Sequence, residues 1–342
     1  MNLPSDHPKR PAVLVAGGAG YIGSHVCEAL AQAGFRPVVL DNLSTGHAGF
    51  VRWGPLVQGD VADADLVRRT LIAHDVTAVM QFAASSVVSE SATAPLHYYR
   101  NNVGGLLGLL DGMRAAGVDR LVFSSTCAVY GDPRGAVIRE DLTPAPISPY
   151  GRSKLMCEQV LADAATAHGL KAVALRYFNA CGASETADIG EFRPVETHLI
   201  PRAMMAALGQ IDDFQVCGAD YDTPDGTAVR DYIHVADLAA GHLAALEQLL
   251  GGREGFSAFN LGSGEGRSVR EILDAVATAS GIPAPNAIGP RRAGDPPILV
   301  ADPSLARREL GFTTRCSDLT TVVASAWAWH SRHHARGEVL VA

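Results

Sequence analysis

Short apolar runs alternate with longer amphipathic stretches through the first half of the chain. The predicted strands are residues 12–16, 37–40, 56–60, 78–84, 120–124 and 171–176. Between them, apolar positions at helical spacing predict helices over residues 22–33, 64–74, 95–117 and 149–168. The first strand is apolar throughout, which is typical of a strand buried on both faces. Strand and helix in regular alternation predict an α/β fold with a doubly wound parallel sheet.

A glycine-rich turn joins the first strand to the first helix. Gly17, Gly18, Gly20 and Gly23 fit both G-x-G-x-x-G and G-x-x-G-x-x-G, and Asp41 ends the next strand. Glycine is needed where the backbone meets a pyrophosphate and where the helix packs on the strand. The Asp41 carboxylate can accept a hydrogen bond from a ribose 2′-hydroxyl and would repel a 2′-phosphate. The unit therefore predicts a Rossmann dinucleotide site and favours NAD over NADP.

The pattern is less regular after residue 179. Residues 180–230 are rich in glycine, proline and acidic residues. The helices predicted from there on are residues 198–208, 235–250, 268–280 and 317–330, and residues 258–261 form a predicted strand. We divide the chain into a disordered extension at 1–10, an NAD-binding Rossmann domain over 11–180 and a smaller mixed α/β substrate domain over 181–342. Residues 231–262 are expected to return to the Rossmann sheet.

Composition and charge narrow the class of protein. The chain has 342 residues, is 47% hydrophobic and carries a formal net charge of −8, so no nucleic-acid or anionic-membrane surface is expected. No apolar run approaches the ~18 residues of a membrane span, and the polar first ten residues do not resemble a signal peptide. Six cysteines without a Cys-x-x-Cys pair indicate reduced thiols in a cytoplasmic protein. No metal site is expected, although His330, His333 and His334 cluster near the C-terminus.

A second group of candidate functional residues lies at positions 148–154, Ser-Pro-Tyr-Gly-Arg-Ser-Lys. Ser148 and Pro149 are typical of a helix start, so Tyr150 and Lys154 fall one turn apart on the same face. An ammonium and the positive end of a helix both lower the pKa of a nearby phenol. Thr126 ends the predicted strand before this helix. Together Thr126, Tyr150 and Lys154 can bind a substrate hydroxyl and remove its proton while a hydride leaves to nicotinamide.

The chain resembles the extended short-chain dehydrogenases and, among them, the UDP-glucose 4-epimerases. The resemblance covers residues 12 to about 334. Its motifs are residues 16–24, 98–102 (Tyr-Tyr-Arg-Asn-Asn), 123–126 (Phe-Ser-Ser-Thr), 148–154, 176–179 (Arg-Tyr-Phe-Asn), 229–235 (Val-Arg-Asp-Tyr-Ile-His-Val) and 291–295 (Arg-Arg-Ala-Gly-Asp). It implies 4-epimerisation of a UDP-hexose, UDP-glucose to and from UDP-galactose, and a homodimer formed through the helices at 95–117 and 149–168.

The resemblance also implies a role for each matching position. Beside Gly17, Gly20 and Gly23, the implied NAD contacts are Tyr21, Ile22, Asp41, Asn42, Asp60, Val61, Phe82, Ala83, Ala84, Ser86, Asn102, Tyr150, Lys154 and Phe178. The implied UDP-sugar contacts are Thr126, Tyr150, Asn179, His198, Leu199, Gln215, Val216, Cys217, Arg230, Arg292, Asp295 and Leu299. The arginines fit physically, because a diphosphate in an acidic protein needs fixed cations.

Three positions depart from the family pattern and leave alternatives open. Thr126 replaces a serine, Ser86 stands where some relatives carry lysine, and Leu299 stands where relatives carry a large tyrosine or a small cysteine. Leu299 leaves the sugar open, so a UDP-pentose or UDP-N-acetylhexosamine is an alternative substrate. A sugar-nucleotide dehydratase or decarboxylase is a second alternative, and a non-catalytic NAD-sensing protein is a third.

Overall fold

A computed structural model describes residues 11–134, 137–193, 195–292 and 295–335. The predicted N-terminal extension and residues 336–342 lie outside this part of the chain. Within it, no helix is both long and apolar enough to cross a membrane. All six cysteines are free thiols.

The strands form one large and two small sheets. In chain order they are β1 (Ala12–Ala16), β2 (Arg36–Asp41), β3 (Leu56–Gln58), β4 (Val76–Gln81), β5 (Arg120–Thr126), β6 (Lys171–Tyr177), β7 (Asn179–Cys181), β8 (Gln215–Cys217), β9 (Val229–His234), β10 (Phe256–Leu261), β11 (Gly266–Ser268), β12 (Ala287–Gly289) and β13 (Ile298–Leu299). In the described residues, the large sheet has the order β3-β2-β1-β4-β5-β6-β10, and all of its pairs are parallel. The predicted fold class is confirmed.

The helices cover both faces of the large sheet. They are α1 (Tyr21–Gln32), α2 (Ala64–Ala73), α3 (Val88–Thr93), α4 (Pro95–Tyr98), α5 (Gly105–Ala116), α6 (Pro149–His168), α7 (Leu199–Ala207), α8 (Val235–Leu250), α9 (Val269–Ser280), α10 (Ser304–Leu310) and α11 (Leu319–Ala335). One core cluster packs α1 and α8 on one face of the sheet, and a second packs α2, α5 and α6 on the other. β1 is buried throughout, as its apolar run predicted.

The predicted helix at 95–117 is one continuous run with a wider turn in its middle. Residues Tyr99–Gly104 are π-helical and join α4 to α5. Such a turn is common near functional sites because it redirects side chains. Here it brings buried Asn102 against α6 and the chain after β4: its amide binds the Ser85 backbone at 2.9 and 3.0 Å and the Ser153 hydroxyl at 3.0 Å.

The second half of the chain contributes strands to the large sheet and to the two small sheets. β10 pairs with β6 in the large sheet, whereas β9 lies in a small sheet with β7, β11 and β13, and β8 pairs with β12. A separate core joins α7, α9 and α11. Of the predicted return segment 231–262, the end of β9 therefore lies in the small sheet, α8 packs on the large sheet, and β10 alone joins it as a strand. The domain boundary at residue 180 stays a prediction.

Two predicted strands are longer than the observed ones. β4 ends at Gln81, because the amides of Phe82 and Ala83 both donate to Ala16 O, at 2.7 and 3.1 Å, and turn the chain across the end of β1. β3 ends at Gln58, and Gly59 N donates to Asp41 O at 3.0 Å. Both turns lie at the carboxyl edge of the sheet, where ligands bind in such folds.

Candidate functional site

The glycine-rich turn has no room for side chains at two of its glycines. Gly17 has φ +81°, and a Cβ there would lie 2.5 Å from Ala83 N. A Cβ at Gly23 would lie 2.2 Å from Gly17 O, so α1 packs directly on the turn. Gly20 is less crowded, since a Cβ there would meet only Gly17 O, at 3.3 Å. The turn therefore fits a bound pyrophosphate at the N-terminus of α1.

Asp41 is fixed against this turn at the end of β2. Its buried carboxylate accepts hydrogen bonds from Ala19 N at 3.0 Å and Leu43 N at 2.8 Å. Beyond it, Asn42 Nδ2 donates to Asp60 Oδ2 at 3.1 Å. These polar groups form the edge at which an adenosine ribose would sit. Buried Val61 and half-buried Ile22, Phe82, Ala83, Ala84 and Ser86 complete the same edge of the sheet.

The cap predicted for the Tyr150 helix is present. Ser148 Oγ accepts a hydrogen bond from Gly151 N at 3.1 Å, and Pro149 is the first residue of α6. A Cβ at Gly151 would lie 2.5 Å from Ala128 O, so the first turn of the helix packs on the chain that follows β5. This contact brings Tyr150 next to Thr126.

Tyr150 is buried between aromatic neighbours at the end of β5. Its ring stands edge-on to Tyr98 with 6.4 Å between centroids. Burial raises the pKa of the Tyr150 phenol above its ordinary value, and so does a charge on Tyr177; the nearby Thr126 hydroxyl lowers it. The protein by itself therefore keeps this phenol protonated. This is the opposite of the lowered Tyr150 pKa that the sequence predicts for the active site.

Lys154 lies one turn further along α6 and points to the sheet. Its Nζ donates to Ser124 O at 2.7 Å and lies 4.7 Å from the centre of the Phe123 ring. Burial lowers the pKa of this ammonium to about 8. Lys154 therefore still carries its charge at neutral pH, although the margin is small.

Tyr177 was missed by sequence reasoning, although its motif was recognised. Its hydroxyl lies 2.5 Å from Ser124 Oγ. The carbonyl of the same Ser124 accepts the hydrogen bond from Lys154 Nζ. The Arg-Tyr-Phe-Asn motif contains this tyrosine, and only Phe178 and Asn179 were given roles. Its position at the end of β6, beside the end of β5, was the available signal.

The predicted substrate residues surround the other side of the cleft. Asn179 opens β7, His198 precedes the first turn of α7 that starts with Leu199, and β8 contains Gln215, Val216 and Cys217. Arg230 on β9 is joined to Asp295 through Nη2–Oδ1 at 2.5 Å. Its strand neighbour across the pair is Leu299, which packs in a cluster with Phe178.

Among the described residues, Arg292 meets this group through its backbone, since Asp295 N donates to Arg292 O at 3.2 Å. It is exposed and adjoins residues 293–294, which lie outside the described chain. Its neighbour Arg291 instead pairs with Asp220 at 2.7 Å and lies 4.4 Å from the centre of the Tyr221 ring.

His198 belongs to a charged cluster at the base of this cleft. Its Nδ1 lies 2.9 Å from Glu191 Oε1 and 3.1 Å from Glu196 Oε1. Burial disfavours the imidazolium, but the two carboxylates raise the pKa of His198 to about 9. The three side chains could geometrically hold a metal ion. In the absence of a metal, the protonated imidazole forms an ion pair with these carboxylates at neutral pH.

Comparison with known proteins agrees with this geometry. The model of the NAD dependent epimerase/dehydratase family matches residues 13–262. A UDP-glucose 4-epimerase of Rhizobium meliloti (strain 1021) is 50% identical over 325 residues, covering 95% of this chain and 98% of the relative. One from Azospirillum brasilense is also 50% identical, over 93% of this chain and 92% of its own length.

A solved structure gives the same result. UDP-glucose 4-epimerase from Brucella ovis, in complex with NAD, superposes with a TM-score of 0.91 at 52% identity, over 93% of this chain and 98% of its own. The predicted resemblance to UDP-glucose 4-epimerases and the prediction of NAD as cofactor are confirmed. The chain belongs to the NAD dependent epimerase/dehydratase family.

Proposed function

We propose that this protein is an NAD-dependent UDP-sugar 4-epimerase that interconverts UDP-glucose and UDP-galactose. The observation that carries the proposal is the position of Tyr150 and Lys154, one turn apart on the buried start of α6, where the helix packs on the chain that follows Thr126 and β5. The glycine turn and Asp41 supply a dinucleotide site at the same edge of the sheet. Bound NAD supplies a hydride acceptor and donor next to this set.

Each residue of the set has a distinct task. Tyr150 takes the proton from the sugar O4, and Thr126 binds the same oxygen through its hydroxyl. Lys154, whose ammonium donates to Ser124 O, would hold the ribose of bound NAD and place a positive charge near the phenol. The 4-keto sugar that results rotates about its diphosphate link and presents its other face. Arg230 holds the diphosphate during this rotation, and Arg292 assists it.

The sugar pocket must be loose for that rotation. Leu299, Phe178 and Cys127 are apolar groups of one cluster at this end of the site. They offer few hydrogen bonds, so neither sugar face is favoured. The substrate is instead oriented by its nucleotide part, whose diphosphate the protein binds through charged side chains.

The two alternative functions are weaker. A dehydratase or decarboxylase would need carboxylates directly after Thr126, where Cys127 and Ala128 stand. Burial raises the pKa of the Cys127 thiol to about 12, so it does not replace a carboxylate. A non-catalytic NAD sensor has no need of Tyr150 and Lys154 in one buried set.

Turnover of UDP-galactose tests the proposal. The purified protein is expected to convert UDP-galactose to UDP-glucose without added cofactor, and denaturation is expected to release NAD. The cycle returns the hydride to the sugar, so NAD is regenerated at every turn. No conversion across several preparations, or release of mainly NADP, would contradict the proposal.

Leu299 is expected to set the size of sugar accepted. We predict activity on UDP-galactose and only weak activity on UDP-N-acetylgalactosamine. Leu299→Ala should raise the ratio of kcat/KM for the N-acetyl sugar to that for UDP-galactose by roughly tenfold, the range that a few methylene groups supply in a pocket. Ile298→Ala, on the opposite face of the same short strand, is the matched control and should leave the ratio unchanged. An unchanged ratio in Leu299→Ala would show that this position does not gate size.

A homodimer through the outer face of α3 to α6 is part of the proposal. Four large apolar side chains on these helices are exposed: Val88, Leu96, Leu107 and Met156. Such a patch is typical of a protein interface. Leu107→Glu should convert a dimer into a monomer in sedimentation velocity, whereas Ile282→Glu, an exposed position outside this face, should not. A wild-type monomer would contradict this part.

Free thiols bear on the cellular compartment. We place the enzyme in the cytoplasm, because all six cysteines are unpaired and UDP-sugars are cytoplasmic metabolites. No nucleic-acid or membrane partner is proposed for a chain with a net charge of −8.

A further inference from the structure

A small aromatic cluster lies apart from the main cores. Its buried members are Phe50, Ala183, Ile189 and Trp329, with half-buried Trp53 and Phe192 packed against them. Phe50 and Trp53 follow β2 of the large sheet, whereas Trp329 belongs to α11. Between them runs a segment that we call the strap, residues 188–193. The cluster therefore fastens the strap to the large sheet and to the last helix at once.

The strap is held by specific contacts at both of its faces. Trp329 Nε1 donates to Glu191 O at 2.9 Å, and its ring leaves no room for a side chain at Gly190, where a Cβ would lie 2.5 Å away. Asp188 pairs with Arg332 at 3.0 Å and with Arg52 at 3.5 Å. These contacts join α11 and the chain after β2 through the strap, so its path is fixed.

That path crosses above the glycine-rich turn. His47 N donates to Ala19 O in the turn at 2.9 Å, and the His47 ring lies 4.5 Å from the Phe192 ring on the strap. On the other side, Tyr21 in the first turn of α1 donates its hydroxyl proton to Gly182 O at 2.6 Å. The strap and its neighbours thus cover the N-terminus of α1, where this fold binds a dinucleotide diphosphate.

Arg193 ends the strap and directly follows Phe192. Its Nε binds Glu191 Oε1 at 3.1 Å, the side chain is 26% exposed, and its two terminal nitrogens make no hydrogen bond within the described residues. Burial raises the pKa values of the Tyr21, Tyr150 and Tyr177 phenols, and the charge of Arg193 opposes that rise at each of them. Geometry points the same way, because Phe192, the residue before Arg193, contacts His47, which is hydrogen-bonded to Ala19 of the glycine turn.

The glycine turn itself has no cation, since residues 16–24 contain neither lysine nor arginine. Within the turn, the negative charge of a bound dinucleotide diphosphate would be stabilised by backbone amides alone. A guanidinium with free terminal nitrogens is the group best suited to bind a diphosphate from the open side.

We propose that the strap closes the cofactor cleft and that Arg193 binds the diphosphate of NAD, which makes cofactor retention depend on this segment. The inference rests on the proposed function, since it takes NAD as the occupant of the cleft. The diphosphate of the UDP-sugar is the other source of the same chemistry, and the experiment separates the two.

Arg193→Met removes the charge and keeps most of the side-chain volume. The holoenzyme is stripped of NAD, and binding is followed by titration with NAD alone. The dissociation constant should rise about tenfold to a hundredfold, the range of a charge-assisted hydrogen bond. The salt dependence of binding should also become weaker than in the wild type, which a merely structural loss would not produce. Arg253→Met, whose partner Glu309 lies on α10, is the matched control and should bind NAD normally.

Phe192→Ala tests the strap separately from the charge. NAD should dissociate faster, and the fluorescence of the clustered tryptophans should become more accessible to acrylamide. Arg193→Lys should recover part of the lost affinity, because the charge returns without the planar fork.

The outcomes discriminate between the sources of the diphosphate. Unchanged NAD affinity with a raised KM for UDP-galactose in Arg193→Met would assign the residue to the substrate, and no change in either would leave it a structural ion pair; both overturn the inference. Wild-type protein that epimerises UDP-galactose and retains NAD keeps the proposed function intact in either case. Wild-type protein that does neither would contradict the proposed function itself.

Discussion

Tyr150→Phe should lower kcat by at least the ~10²–10⁴-fold that a positioned general base contributes, with bound NAD retained. The variant keeps the ring that packs edge-on to Tyr98 and loses only the hydroxyl that meets Thr126. Its fold and its cofactor content should therefore match those of the wild type. Conversion of UDP-galactose, measured at saturating substrate, is the direct readout.

The size of this effect follows from the work required to ionise the phenol. Burial raises its pKa, whereas catalysis at neutral pH needs a value well below the ordinary ~10. Even from the ordinary value, lowering the pKa to 7 requires roughly 4 kcal/mol of preferential stabilisation of the phenolate, and the rise caused by burial adds to this requirement. Lys154 supplies one positive charge, and the cationic nicotinamide of oxidised NAD supplies another.

Lys154→Met should move the acid limb of the pH–rate profile to higher pH. The wild-type ammonium, with its pKa lowered to about 8, is charged below that pH and loses its charge above it. Its support for the phenolate is thus present at neutral pH and fades as the pH rises through 8. The variant lacks it at every pH, so more alkaline conditions are needed to ionise Tyr150.

Difference spectroscopy provides the control for both variants. A phenolate signal should appear in the oxidised holoenzyme, vanish on reduction of the cofactor, and be absent from Tyr150→Phe. Near-normal turnover by Tyr150→Phe, or a phenolate signal that does not change with the redox state of the cofactor, would assign the base to another group.

The sequence predicted the elements that depend on local pattern. β1, α6 and α8 match closely because each has a clear apolar period and a recognisable start or stop, such as Ser148 or Gly169. Strand ends were less accurate at β3 and β4, where the chain turns for hydrogen bonds to neighbouring strands. Such bonds are tertiary contacts, and no periodicity in residues 56–60 or 78–84 encodes them.

The site was predictable where spacing on one element fixes geometry. Tyr150 and Lys154 share a helix, so their proximity follows from sequence. Arg230 and Asp295 were each assigned to the substrate through a motif resemblance, but their ion pair, between partners 65 positions apart, was not predicted. The role of burial at Tyr150 was not predictable, because its surroundings come from three elements distant in the chain. Arg193 was missed for the same reason. Its role depends on the path of the strap past the glycine turn, and that path is fixed by the aromatic cluster.

The second large effect concerns a buried ion pair behind the catalytic helix. Glu158, one turn after Lys154, binds Arg176 on β6 through both carboxylate oxygens, with Nη2–Oε2 at 2.6 Å and Nε–Oε1 at 3.0 Å. The same carboxylate accepts from Ser125 Oγ at 2.5 Å, and Arg176 Nη1 donates to the Tyr130 hydroxyl at 2.9 Å. The pair therefore fastens α6 to β5 and β6 directly beside Thr126.

Glu158→Ala should lower the free energy of unfolding by about 3–5 kcal/mol, because it leaves the Arg176 charge buried without a partner. Denaturant unfolding of all variants should be measured at one saturating NAD concentration, since bound cofactor adds stability of its own. Asp213→Ala removes an exposed partner of Arg202 at 2.7 Å and serves as the control, with a change within roughly 1 kcal/mol.

A double variant separates the cost of an unpaired charge from the loss of packing. Glu158→Leu combined with Arg176→Met removes both charges and fills the space with apolar atoms, so it should be more stable than Glu158→Ala alone. Two hydroxyls then lose a partner: Ser125 loses its acceptor, and Tyr130 loses a donor but keeps its bond to Asn260 Oδ1 at 2.8 Å. If Glu158→Ala costs no more than Asp213→Ala, or the double variant is the least stable of the three, the pair does not fasten α6 in the way its geometry indicates.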